Sequence, residues 1–339
     1  MAFKVGVSKD LKTGSGAPCF NPRAFSALEA GKEIAWEWVA IDMAEVTPDI
    51  AARYDALHLN LPRVTKASVA RPDCCLRIIA RNGVGYDSVD VEALTEKGIV
   101  LTNTPIAVRR PVAVATLTMI FALAGRLFEK DRLVRTGRWN DRVDYMGLGL
   151  TGRTLGLIGA GSIGQEIVRL ARPFFKRIVA ADPYVDAATI ATLDAELVPF
   201  DQVMREGDFV VACCLLTPET RHLVDARALA LMQPGAYFIN VGRGPIHDEA
   251  ALIEALATKR IAGAGLDVLE QEPTPAGNPL LKLDNTIITP HALCWTDECF
   301  EDIATTALRS IADFSLGRRP IHIVNPAAWR GRSDAHPLR

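Results

Sequence analysis

The sequence predicts an α/β protein built as two doubly wound parallel-sheet domains, and three observations carry that expectation. Short β-type runs alternate with helical patterns along the chain, the signature of parallel sheets joined by crossover helices. The runs fall into a set of five and a set of six, too many together for one ordinary open sheet. The length of 339 residues also fits two domains.

Taken in order, the first set of strands is Phe3–Val7, Trp36–Ala40, Ala56–Asn60, Leu76–Ala80 and Ile99–Thr102. Met1 to Ser8 alternates as a strand does and has no apolar signal core. Pro111 to Arg126 is apolar almost all round, with basic residues at both ends, so it reads as a helix buried on every face. Core packing and a subunit contact are both open for it. Its apolar stretch, Val112 to Gly125, is 14 residues, short of the ~20 that cross a bilayer, so no membrane partner is expected. The second set is Thr154–Ile158, Arg177–Ala181, Phe209–Cys213, Ala236–Asn240, Ala262–Val268 and Thr286–Thr289. Asp297 to Leu316 reads as a further helix, stopped by Gly317-Arg318-Arg319-Pro320. The tail from Trp329 to Arg339 is polar, basic and expected to be loose.

Composition narrows the function class. Lys plus Arg is 38 against 40 Asp plus Glu, a net charge of −2, which lacks the basic excess of a nucleic-acid binder. The seven cysteines are odd in number and form no C-x-x-C pair, so neither a disulfide framework nor a zinc site is suggested. No histidine carries ligand spacing either, and no metal is expected. Reduced thiols and the missing signal core fit the cytoplasm.

The strongest local motif is Gly159-Ala160-Gly161-Ser162-Ile163-Gly164, after an apolar strand and before a helical stretch. The first glycine makes a tight turn, the second lets a pyrophosphate approach the backbone, and the third lets helix pack on strand. The helix N-terminus behind them presents unpaired N–H groups to phosphates. Asp182 ends the next strand, 18 residues after Gly164. Its carboxylate would accept from the adenine ribose hydroxyls and repel a 2′-phosphate, favouring NAD over NADP. The competing reading of Asp182 is a turn residue before Pro183. Together these features predict a Rossmann nucleotide domain.

Three ionisable residues follow the ends of three successive strands of that domain: Arg243 in Gly242-Arg243-Gly244, Glu272 before Pro273, and His291 after Pro290. Ligands of open parallel sheets bind outside the carboxyl ends of the strands, and neighbouring strands are about 4.8 Å apart. Arg243 would hold a carboxylate and polarise the adjacent carbonyl. His291 would move the hydroxyl proton, with Glu272 orienting the imidazole and raising its pKa. Singly, each has a plain alternative as a surface ion pair or a solvated turn.

These residues sit in a series of motifs that resembles the D-2-hydroxyacid dehydrogenases (the D-isomer specific, NAD-dependent family), with likeness to glyoxylate/hydroxypyruvate reductases and short phosphoglycerate dehydrogenases. The series runs through Arg81-Asn82-Gly83-Val84-Gly85-Tyr86-Asp87, Asn103-Thr104-Pro105, the glycine turn, and Leu216-Thr217-Pro218-Glu219-Thr220. It continues with Ile239-Asn240-Val241-Gly242-Arg243-Gly244, Gly265-Leu266-Asp267-Val268-Leu269-Glu270 with Glu272-Pro273, and Thr289-Pro290-His291. The resemblance implies that Arg243, Glu272 and His291 are the catalytic trio. The nucleotide site would comprise Gly159, Gly161, Ser162, Ile163, Gly164, Asp182 and Thr217, with Asp267 near the nicotinamide carboxamide. Backbone N–H groups of Val84 and Gly85 would receive the substrate carboxylate. It further implies a flavodoxin-like substrate domain from residues 1–104 and 296–339, a nucleotide domain over 105–295, and a homodimer joined through the latter.

Several positions depart from that pattern. Val108-Arg109-Arg110-Pro111-Val112-Ala113-Val114 stands where Val-Ala-Glu is common; the arginines would bind a second anionic group of the substrate or merely solvate a helix end. Cys213 and Leu215 replace a usual His and Pro. Trp295 follows the active histidine and would wall the substrate pocket or serve as core. His247 occupies a branched apolar position and reads as structural. A regulatory domain is not expected. Two rivals remain: a formate- or phosphite-oxidising relative, disfavoured because Glu272 stands where formate enzymes carry Gln, and a non-catalytic NAD-sensing protein.

Overall fold

The structure is a computed structural model that describes residues 2–31, 33–39 and 45–330. Its contacts divide the chain into two compact units, Met1–Val108 with Trp295–Arg339, and Arg109–Cys294.

The first unit holds β1 (Phe3–Ser8), β2 (Ile34–Val39), β3 (Ala56–Leu59), β4 (Ile78–Arg81) and β5 (Val100–Thr102), all parallel in the order β2-β1-β3-β4-β5. This 2-1-3-4-5 order is the flavodoxin-like form of the doubly wound sheet. Both faces are covered, so successive residues serve different cores. Ile78 packs with Phe300, Leu308, Ile311 and Phe314 of the helix Asp297–Ser315, whereas Ile79 packs with Leu94, Val69 and Leu57. A strand buried on both sides reads as a continuous apolar run, which is how β3 and β4 look in sequence.

The second unit holds β6 (Thr154–Ile158), β7 (Arg177–Ala181), β8 (Glu196–Leu197), β9 (Phe209–Ala212), β10 (Tyr237–Asn240), β11 (Gly263–Leu266) and β12 (Thr286–Ile288). The order is β12-β11-β10-β9-β6-β7-β8, all parallel. Counted from its own first strand this is 3-2-1-4-5-6-7, the Rossmann order with one strand added. The direction of winding reverses between β6 and β9, and the crevice there is where such sheets bind ligands. Here too Phe238 and Ile239 face opposite cores.

Four expectations need correction. β8 is absent from the sequence reading because two residues are too short for any period to show. The apolar helix spans Pro105–Gly125, 21 residues with Pro111 inside it, rather than starting at Pro111. Pro105 takes the first helical position, where a missing N–H costs nothing. Its length and composition would suffice to cross a bilayer, but more than half of it is buried inside the protein, with Ala113, Leu117, Ile120 and Leu123 in the core. The third correction concerns Trp329, which is not loose: it is 6% exposed and packs edge-on against Phe314. The fourth is that most strands end a residue or two from the limits read in sequence. Ala40 and the rest of the tail, 331–339, lie outside the described residues.

Candidate active site

The glycine turn follows β6 directly. Gly159 has φ +103°, and a Cβ there would lie 2.8 Å from the Cα of Cys214. A Cβ on Gly164 would lie 2.4 Å from the Gly159 carbonyl oxygen. Gly161 meets nothing within 4 Å. Packing therefore dictates the first and third glycines, and the second leaves open space in front of the helix Ser162–Ala171. Gly161 caps that helix without a side chain, so the N–H groups of Ser162 and Ile163 begin a bare helix N-terminus.

Asp182, at the end of β7, holds this turn from the side. Its Oδ2 accepts from the Ala160 N–H at 2.8 Å and its Oδ1 from the Tyr184 N–H at 2.9 Å. Asp182 therefore is a turn residue, and each carboxylate oxygen keeps lone-pair capacity for a further donor. Thr217 lies in the loop after β9, where its N–H donates to Thr220 Oγ1 at 2.7 Å. Burial pushes the Cys214 thiol up to about 11 and the Cys213 thiol higher still, so both act as packing groups beside the turn. An open cradle, a bare helix N-terminus and a flanking carboxylate fit a dinucleotide. Among the described residues no cluster of three His, Cys, Asp or Glu side chains suits a metal ion.

The ends of β10, β11 and β12 bring the trio together. His291 Nδ1 lies 2.8 Å from Glu272 Oε2, and Glu272 Oε1 accepts from the Leu269 N–H at 3.0 Å. Burial alone would raise the Glu272 carboxyl; the His291 hydrogen bond and charge, the Leu269 N–H and the charge of Arg243 outweigh it and hold it below the ordinary carboxylate value. With Nδ1 bound to a carboxylate, Nε2 is the ring nitrogen left for proton exchange.

Arg243 is delivered by a tightly packed loop. A Cβ on Gly244 would sit 1.9 Å from the Leu269 carbonyl oxygen and 2.5 Å from the Glu270 nitrogen. Only a glycine lets the Arg243 loop lie against the loop carrying Glu272. Asn240, fully buried, accepts from the Gly242 N–H at 3.0 Å and donates to the Arg243 carbonyl at 2.9 Å.

Asp267 organises the histidine's loop. Its Oδ1 accepts from Thr289 Oγ1 at 2.6 Å, the Ala292 N–H at 3.0 Å and the Leu293 N–H at 3.1 Å. Those donors bracket His291, whose backbone is left-handed at φ +53°. Asn240, Gly244 and this use of Asp267 escape a reading of the sequence; an Asn just before a G-x-G turn is the available signal.

In the first unit the Val84–Gly85 loop is fixed by its carbonyls. Asn103 Nδ2 donates to Val84 O at 2.8 Å and Arg81 Nε to Gly85 O at 3.1 Å. The loop's remaining backbone donors are its N–H groups. Asn82, at its base, receives a hydrogen bond from Nε2 of the buried His58 at 3.2 Å. Trp295 is 50% exposed and packs edge-to-face with Phe300, 4.8 Å between centroids, so it is not a core aromatic. Arg110 is taken up by Glu166 at 2.8 Å, while Arg109 Nε is buried without a partner among the described residues. The Arg110 hydrogen bond, then the charge of Arg110, the Arg169 hydrogen bond and the charge of Arg109, lower the Glu166 carboxyl against burial.

Residues 117–292 match the family profile described as the D-isomer specific 2-hydroxyacid dehydrogenase NAD binding domain. The chain is 36% identical over 307 residues to a glyoxylate reductase of Korarchaeum cryptofilum, covering 89% of this chain and 92% of that one. It is 39% identical over 251 residues to a D-3-phosphoglycerate dehydrogenase of Methanocaldococcus jannaschii, covering 74% of this chain and 48% of that longer relative. Among solved structures it resembles the TT0316 protein of Thermus thermophilus, with TM-score 0.82, 31% identity, and coverage of 95% and 99%. It also resembles an NADPH-dependent glyoxylate/hydroxypyruvate reductase of Sinorhizobium meliloti in complex with NADP and malonate, with TM-score 0.82, 28% identity, and coverage of 98% and 100%.

Proposed function

Because the chain belongs to the D-isomer specific 2-hydroxyacid dehydrogenase family, we propose that it is an NAD-dependent oxidoreductase interconverting a small D-2-hydroxyacid and its 2-oxoacid. The observation that carries the reading is the Glu272–His291 pair, with the charge of Arg243 acting on it, at three adjacent strand ends of a dinucleotide-binding sheet.

A dinucleotide held at the Gly159–Gly164 turn would supply the hydride for reduction or accept it in oxidation. Arg243 binds the substrate carboxylate and polarises the reacting carbonyl. In reduction, His291 Nε2 gives its proton to the carbonyl oxygen; in oxidation it takes that proton back. Glu272 holds Nδ1 and stabilises the charged ring. Val84 and Gly85 offer backbone N–H groups to the carboxylate, and Trp295 walls the substrate. Asp267 keeps Oδ2 for the carboxamide while Oδ1 secures the loop. Asp182 favours NAD by repelling a 2′-phosphate. Glyoxylate and hydroxypyruvate are the leading substrates, in line with the names of the relatives.

We further propose a cytoplasmic homodimer formed through the second unit. That unit exposes the large apolar side chains Val114, Phe121, Leu127, Phe128, Trp139 and Met146. Association through that unit would remove such side chains from water.

The test is NADH oxidation with glyoxylate, hydroxypyruvate and larger 2-oxoacids. Turnover is expected for at least one small oxoacid, and inactivity across the panel refutes the assignment. His291→Asn should lower kcat by about 10²–10⁴-fold; near-normal turnover refutes its proton-transfer role.

A further inference from the structure

His247 stands seven residues beyond Asn240, buried, with no relative exposure. Its Nδ1 lies 2.9 Å from Asn240 Nδ2. The two backbone partners of Asn240 fix which end of the amide is which: its oxygen faces the Gly242 N–H, and its nitrogen faces the Arg243 carbonyl. Nδ2 is therefore a donor, His247 Nδ1 accepts, and the ring proton sits on Nε2. That Nε2 is buried with no partner among the described residues. An imidazole in the core with half its hydrogen-bonding capacity unmet is a costly choice beside an aliphatic side chain. Among the described residues, the one hydrogen bond the ring makes is to the amide that sets the Arg243 peptide. Burial also lowers the His247 pKa to about 4, which keeps Nδ1 an acceptor at neutral pH.

We propose that His247 is a positioning residue for Arg243: by accepting the second N–H of Asn240 it locks the amide that holds both the Gly242 N–H and the Arg243 carbonyl. An aliphatic residue would leave that N–H buried and unbonded, and the amide free to turn away. The functional half rests on the role proposed above for Arg243, and the structural half does not.

The test compares His247→Leu, close to imidazole in volume, with His247→Asn, whose Oδ1 replaces Nδ1. Hydrogen exchange read on the peptide spanning residues 238–248 should show the Gly242 amide exchanging about tenfold faster in H247L, one lost hydrogen bond's worth. In H247N it should stay within about twofold of the wild type. The KM for glyoxylate should rise by a similar factor in H247L with NADH affinity unchanged, and the rise should vanish on an Arg243→Ala background. Unchanged exchange in H247L, or H247N exchanging as fast as H247L, overturns the proposal. So does faster exchange with an unaltered KM in an active enzyme. If H247L does not fold, H247N decides by the same exchange criterion. If the wild type reduces no oxoacid, the proposed function has failed, and exchange still decides the role of His247.

Discussion

Gly244→Ala is the most searching single substitution, because it adds one methyl group and alters no ionisable side chain. The new carbon would sit 1.9 Å from the Leu269 oxygen, 2.0 Å from its carbonyl carbon and 2.5 Å from the Glu270 nitrogen. All three are backbone atoms, so no rotamer change relieves the overlap. Ordinary C···O contact is about 3.3 Å, so the two loops must separate by more than an ångström. Overpacking of this kind costs about 1–3 kcal/mol. The catalytic consequence is larger. Arg243 immediately precedes Gly244, and Leu269 N–H holds Glu272. Moving one loop from the other displaces the guanidinium from the Glu272–His291 pair by about the same distance. A misplacement of about 1 Å costs about 10²-fold in rate. The assay is steady-state oxoacid reduction beside NADH binding and thermal melting. The expected result is kcat/KM lower by about 10²-fold, a melting point lower by a few degrees, and intact NADH binding. A variant with wild-type kcat/KM would refute the argument that loop apposition sets the site.

Two further outcomes follow from the same geometry. Asp182→Ala should narrow the preference for NADH over NADPH, read as the ratio of kcat/KM values; an unchanged ratio contradicts the ribose role. Stability should fall between pH 7 and pH 5, because burial first of all lowers His58 and His247 to about 4 against an ordinary 6.5. Between those values the unfolded chain binds protons that the folded chain refuses, so each depressed histidine loses roughly 2 kcal/mol by pH 5. Glu272 adds nothing in this window, since a lowered carboxyl contributes fully above its unfolded value and is lost only below it. Urea unfolding of His247→Asn at both pH values should show roughly half the wild-type drop; an equal drop contradicts the burial argument.

How much of this is legible in sequence depends on whether the signal is local. β6 and β7 coincide with their sequence limits because polar and glycine residues bound continuous apolar runs. The trio stands out because Arg243, Glu272 and His291 each follow a recognisable strand. Asp267 does not disclose its hold on the loop, since its donors lie 22 to 26 residues away and two are backbone groups. Gly244 looks like one of many glycines until the Leu269 backbone is seen against it. Arg110 reads as a binder of a substrate anion or a helix-end cation because its partner Glu166 is 56 residues distant. Trp329 reads as tail because its neighbours are polar, whereas the aromatic contact with Phe314 buries it.

The left-handed backbone at His291 sets durability against chemistry. A side chain other than glycine, asparagine or aspartate is disfavoured there by about 1 kcal/mol. The Asp267 carboxylate, through the groups on either side, imposes that posture on an imidazole that would otherwise avoid it. Glycine at this position would relieve the backbone and remove the imidazole, so under the role proposed for His291 the enzyme exchanges about 1 kcal/mol of toughness for a group that can carry a proton.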